Sequence, residues 1–100
     1  MAEKEVIHSE LAPAAVGPYS HAVAANNLVF TSGQVAIDPK TGKVESDTIE
    51  GQTEQVMQNL HYVLAQAGVS FDRVVKTTCF LAEMNDFAAF NSVYGKYFPE

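Results

Sequence analysis

One hundred residues, 47% hydrophobic and only 18% charged, describe one compact globular domain with a thin core and exclude a disordered chain. A net charge of −6, with cations scattered at Lys4, Lys40, Lys43, Arg73, Lys76 and Lys96, argues against a nucleic-acid partner, because phosphate binding needs clustered Lys and Arg. The single cysteine, Cys79, excludes an internal disulfide and a cysteine-based metal cluster.

The amino terminus, Met1 to Glu5, leads into no long apolar region, and no run of about 18 apolar residues offers to span a membrane. The expectation is a reduced, cytoplasmic protein with no membrane partner. Val6-Ile7-His8 reads as a short opening strand. Leu11 to Val16 carries Pro13 and leads into Gly17-Pro18, an extended or turning loop that delivers Tyr19 and Ser20 to a fixed place. His21–Ala25 and Leu28–Ser32 flank Asn26-Asn27; asparagine tolerates positive φ, so the pair reads as a tight hairpin turn. A second turn follows at Asp38 to Gly42, with proline early and glycine late.

From about Thr48 to Ala67 the period changes. Ile49, Val56, Met57, Leu60, Val63, Leu64 and Ala67 take helical spacing, Asp47 with Glu50 resembles a capping box, and Gly68 suits the position after the last turn. Gln52, Glu54, Gln55 and Gln58 fall mostly on the solvated face. Arg73 to Ala82 is rich in β-branched residues and reads as a long central strand, with Cys79 as a small core residue. Asn85-Asp86 offers a cap to a second helix carrying Phe87, Phe90, Tyr94, Tyr97 and Phe98 until Pro99, an aromatic stripe suited to core packing. Asn91, four residues after Phe87, is expected on the buried side, bracing a loop or facing a cleft. The order implies an α+β fold with both helices on one sheet face and the other face covered by a second copy of the chain.

Chemistry concentrates at Leu28 to Val35, where an apolar strand ends in Thr31-Ser32-Gly33-Gln34. A glycine lets a ligand approach the backbone N–H while neighbouring hydroxyls supply donors and acceptors; the same residues also make an ordinary turn. His8, His21 and His61 show no paired metal spacing. A Ser32–His21 nucleophile pair across the hairpin is conceivable, and a phosphate loop is not, because Ser32-Gly33-Gln34 precedes no helix. What remains is a polar cluster of Tyr19, Ser32, the Gly33 backbone and Asn91, able to orient a small polar ligand and a water with no metal or cofactor.

Gly17-Pro18-Tyr19-Ser20, Val29 to Gln34, Gln58-Asn59-Leu60, and Met84 to Phe87 followed by Asn91, Tyr94 and Phe98 resemble the RidA/YjgF family of reactive-intermediate deaminases over essentially the whole chain. The resemblance implies a chorismate-mutase-like α+β fold, a homotrimer with clefts between subunits, and hydrolysis of 2-imino or 2-enamino acids such as 2-iminobutanoate to 2-keto acids and ammonia. It implies Tyr19 and Ser32 in the catalytic cleft, a Gly33 N–H offered to substrate, and Phe87 and Asn91 lining the cleft from the second helix. In the family two further strands follow, bearing an arginine that grips the substrate carboxylate and a glutamate that positions water. These residues end at Pro99-Glu100, and the only arginine, Arg73, does not match that position. The expectation is a single RidA-like domain shortened at its carboxy end, poorly active alone, from an active parent. A non-catalytic small-molecule-binding or regulatory trimer is the alternative. A nuclease-like or translation-inhibiting protein is a third reading, disfavoured by the acidic balance.

Overall fold

The computed structural model describes residues 3–98. Strands β1 (Glu5–Ile7), β2 (Ala22–Ala25) and β3 (Leu28–Thr31) form an antiparallel sheet in the order β1-β2-β3. Asn26 and Asn27 adopt φ of 52° and 65°, the left-handed pair that a two-residue hairpin turn needs to match strand twist. The cross-strand rows are Glu5–Ala24–Val29, Val6–Val23–Phe30 and Ile7–Ala22–Thr31.

Alternation then separates two faces. On the inner face Ile7 and Ala22 are buried with Ala12 and Val63, and Ala24 and Val29 pack against them. On the outer face Val6, Val23 and Phe30 form an apolar row that no element covers among the described residues, with Phe30 61% exposed. Within β3 only Val29 is half-buried, while Leu28 and Phe30 stand exposed.

Strands β4 (Ile37–Asp38) and β5 (Lys43–Val44) make a separate two-stranded ribbon. Its turn is closed by Gly42 N–H on the Asp38 carbonyl at 2.8 Å and by Lys40 N–H on the Asp38 carboxylate at 2.8 Å.

Helix α1 (Ile49–Gln66) forms where the periodicity places it, burying Met57, Val63 and Leu64. Its cap is Thr48, whose Oγ1 accepts the Gly51 N–H at 3.0 Å, in place of the expected Asp47–Glu50 box. At the other end Gly68 takes φ +79°, with its N–H on the Ala65 carbonyl and the Val69 N–H on that of Leu64, each at 3.0 Å. This pair of bonds satisfies two terminal carbonyls, and glycine adopts that left-handed backbone without strain.

Helix α2 (Phe87–Tyr94) follows a 3-10 turn at Met84–Asp86 and packs on α1. Asp86 occupies its N-cap position without a side-chain cap bond. The aromatic stripe packs as expected from Phe90 onward: Phe90 on Tyr94 at 5.1 Å between ring centroids, Tyr94 on Phe98 at 4.9 Å, and Phe71 on both Tyr97 and Phe98 at 5.2 Å. The Tyr97 hydroxyl donates to Glu54, tying the turn after α2 to α1. Phe87 lies outside this cluster and is 51% exposed. The expected stop at Pro99 lies outside the described residues.

The strand expected over Arg73–Ala82 is absent. Phe71–Arg73 is a 3-10 turn, and residues 74–82 run without strand pairing among the described residues. The β-branched composition favours extension, but a strand exists only when another strand takes its hydrogen bonds. Val75 and Phe80 are consequently 91% and 93% exposed, and Cys79 is exposed too, not a core residue. Both helices on one sheet face is accordingly too simple: α1 covers the β1–β3 sheet, whereas α2 rests on α1 and meets the unpaired segment through a Tyr94–Thr77 hydroxyl contact.

Two stability tests follow from this packing. Met57→Ala should cost about 2–3 kcal/mol in urea denaturation, and Thr48→Ala about 1 kcal/mol. Burial pushes the Tyr97 phenol above its ordinary value, Glu54 adds to the rise by hydrogen bond and charge, and a Gln58 hydrogen bond opposes it. Because the folded state holds this proton more tightly, its contribution is intact below about pH 10 and is lost as pH rises through the raised value. Tyr97→Phe should flatten that alkaline fall in a melting-temperature series; an unchanged alkaline limb would count against the Tyr97–Glu54 tie.

Candidate functional site

The loop from Ser9 to Ser20 lacks strand or helix, and side chains hold it instead. His21, buried at the head of β2, accepts the Ser9 N–H on Nδ1 at 2.9 Å and directs Nε2 to the Pro13 carbonyl at 2.8 Å. With an acceptor role on one nitrogen and a donor role on the other, the ring is the neutral, Nε2-protonated tautomer. The Ser32 hydroxyl donates to the Ser20 carbonyl, joining the end of the loop to the tip of β3.

The conceivable Ser32–His21 nucleophile pair is therefore corrected. Each partner is spent on backbone, and the histidine is a clamp. Nothing in the residue types separated those roles, because a histidine across a hairpin from a serine suits either.

Clamped in this way, the loop faces the end of β3 across a hollow of about 80 Å³, room for several waters or a metabolite of similar size. Pro13, Val16 and Tyr19 line one side; Gly33, Gln34 and Val35 line the other. The Tyr19 hydroxyl accepts the Val16 N–H at 3.4 Å, which leaves its own proton available to a ligand. At Gly33 an added Cβ would meet no atom within 4 Å, so neighbouring protein does not demand glycine there; the space in front of it is open.

The N–H groups of Gly33, Gln34, Val35 and Ala36 find no acceptor among the described residues, although Ala36 is itself buried. Successive unpaired amides beside a phenol form a donor surface for an anionic or carbonyl oxygen. No Asp, Glu, Lys or Arg side chain lines the hollow.

Of the expected site residues, Tyr19 and Gly33 come together in the hollow. Ser32, the residue before Gly33, does not line it, and its hydroxyl is turned to the Ser20 carbonyl. Phe87 and Asn91 do not join them: both are exposed on α2, and neither lines the hollow of its own chain. Asn91 was expected on the buried side; the neighbouring Phe87 that suggested this is itself exposed. The fully buried amide is Asn59 on α1, at 0% exposure, donating to the carbonyls of Val35 at 3.0 Å and Ile37 at 2.8 Å. The signal for it was present, since Asn59 falls four residues before Val63 on the apolar stripe of α1.

The family model described as endoribonuclease L-PSP matches residues 9–100. The chain belongs to the RidA/YjgF family. It is 52% identical over 97 residues to Reactive Intermediate Deaminase A, chloroplastic, of Arabidopsis thaliana, which covers 97% of this chain and 52% of that protein. The crystal structure of the Escherichia coli YjgF gene product matches with a TM-score of 0.89 at 39% identity, over 95% of this chain and 74% of that one. That of E. coli TdcF with bound serine matches with a TM-score of 0.89 at 36% identity, again over 95% and 74%. The chain thus spans about half the length of the Arabidopsis protein and about three quarters of the two E. coli chains. Among the described residues no helix is long and apolar enough to cross a membrane.

If His21 is a clamp, His21→Ala strands a buried N–H and a carbonyl and should cost about 2–4 kcal/mol in chemical denaturation. His8→Ala, at an exposed position, should stay within about 0.5 kcal/mol. Equal losses for the two variants would contradict the clamp.

Proposed function

We propose that this protein, in its whole form, hydrolyses 2-imino acids and their 2-enamino tautomers to 2-keto acids and ammonia, at hollows shared between subunits of a cytoplasmic homotrimer. The observation that carries the reading is a hollow lined by Tyr19 on one side and by Gly33, Gln34 and Val35 on the other, the last three with backbone N–H groups that find no acceptor among the described residues. Kinship with a protein named a reactive intermediate deaminase, and with one crystallised with serine, supports a small amino-acid-like ligand.

The chemistry asks little beyond placement. Water adds to the imine carbon, the nitrogen takes up a proton, and ammonia leaves as the carbon–oxygen double bond forms. A 2-imino acid plus water thereby gives a 2-keto acid plus ammonia, with no change of oxidation state. The Gly33 N–H and its neighbours hold the substrate carboxylate or the oxygen that develops charge, and the Tyr19 hydroxyl hydrogen-bonds the reacting end. Donors fixed before the reaction supply stabilisation without reorganisation. Ser32 joins through its hold on Ser20, next to Tyr19.

Phe87 and Asn91 enter the site from a neighbouring copy, since their shared face of α2 is open in their own chain. The uncovered Val6–Val23–Phe30 row supports assembly for the same reason. Arginine and glutamate on further strands, as the family resemblance implies, would add the charged grip that the hollow lacks.

A second reading, a trimer that binds such acids without turning them over, is favoured by that neutral lining. A charge-assisted contact is roughly twice as strong as a neutral one, so these residues alone should bind weakly and turn over slowly.

Titration with 2-oxobutanoate followed by amide NMR should move Tyr19 and Gly33 to Ala36 first. Tyr19→Phe should weaken binding about three- to tenfold, one neutral hydrogen bond. Gly33→Ala should leave unfolding within about 0.5 kcal/mol yet weaken binding at least as much, because its methyl enters the ligand's space. Shifts that avoid these residues would sink the site. Ammonia release from a freshly generated 2-imino acid separates the two readings: binding without acceleration selects the second.

A further inference from the structure

The segment that carries the unpaired amides is not held by the sheet. β3 ends at Thr31 and β4 begins at Ile37, and of the N–H groups of residues 32–36 only that of Ser32 bonds to backbone, on the carbonyl of His21 just before β2, at 2.9 Å. Its far end is held from below by Asn59, across 24 and 22 positions of sequence.

Both hydrogens of the Asn59 amide are used, one on each carbonyl, and its oxygen accepts from Gln55 Nε2 at 3.0 Å. Gln55, one helical turn earlier, therefore fixes which way the amide faces. The Ile37 N–H closes on the same Val35 carbonyl at 2.8 Å, so the backbone reverses at Ala36. A trans peptide points its C=O and the following N–H in opposite directions. Drawing the Val35 carbonyl towards α1 consequently turns the Ala36 N–H away from the helix.

We propose that Asn59 is a positioning residue for the hollow: its two hydrogen bonds set where the Gly33–Ala36 amides face, and ligand affinity depends on them. This rests on the hollow being the ligand site proposed above. The geometry accepts no ready substitute. Leucine fills similar space without donors, aspartate replaces the donors with a carboxylate against two carbonyls, and glutamine adds a methylene to a fully buried side chain.

The test compares Asn59→Ala, Gln55→Ala and Met57→Ala in the full chain, by melting temperature, by amide chemical shifts and by 2-oxobutanoate affinity at a temperature where all are folded. Met57 is a buried residue of α1 that holds no loop carbonyl, so it reports stability loss alone. Asn59→Ala should shift the Gly33–Ile37 amides and weaken binding tenfold or more. Gln55→Ala should move the same resonances less and weaken binding two- to threefold, and Met57→Ala should lower the melting temperature with affinity within twofold of the parent. A parent-like affinity in Asn59→Ala, or an equal loss in Met57→Ala, would overturn the proposal. Should Asn59→Ala fail to fold, Gln55→Ala decides, and unmoved resonances with unchanged affinity reject the idea. If the unsubstituted chain does not bind 2-oxobutanoate, the hollow is not its ligand site and the affinity part of the proposal falls with that reading; whether Asn59 orients the segment is then decided by whether the Gly33–Ile37 resonances move.

Discussion

Two side-chain clamps decide what this fold can present. His21 pulls the Tyr19 loop onto the head of β2, and Asn59 pulls the other wall onto α1. Neither wall has ladder hydrogen bonds of its own, so its shape depends on a few buried bonds to backbone. A buried polar side chain is costly unless satisfied and specific once it is. Here the polar core residues Ser9, His21 and Asn59 take on the ordering of backbone that strands perform elsewhere in the molecule.

What the sequence made legible was local. Asn26-Asn27 predicts a reversal because the residues themselves tolerate the required φ, and α1 is predicted because its apolar period and Gly68 lie within one segment. Arg73–Ala82 fails for the opposite reason. Its composition favours extension, but pairing is a property of two segments, and no second segment pairs with it among the described residues. Composition alone cannot report that.

The site was legible to the same extent. The sequence predicts that the Tyr19 loop meets a strand tip carrying Ser32 and Gly33; Tyr19 and Gly33 share a hollow, and Ser32 does not line it. Ser32 was read as a chemical group, while its hydroxyl is engaged by a carbonyl, a contact made by tertiary structure. The amides most important to the proposed chemistry belong to main chain, and side-chain motifs are blind to unpaired N–H groups. Asn91 and Asn59 show how little separates a correct inference from a wrong one. Each stands near apolar residues at helical spacing, yet only α1 is covered on that face, by the sheet.

The outward row across β1, β2 and β3 carries a thermodynamic consequence. Its apolar side chains gain free energy from any copy that covers them, and assembly of that kind obeys mass action. In the assembly proposed above, folding and association would be linked, so that dilution would act as a denaturant and melting temperature would climb with the logarithm of protein concentration.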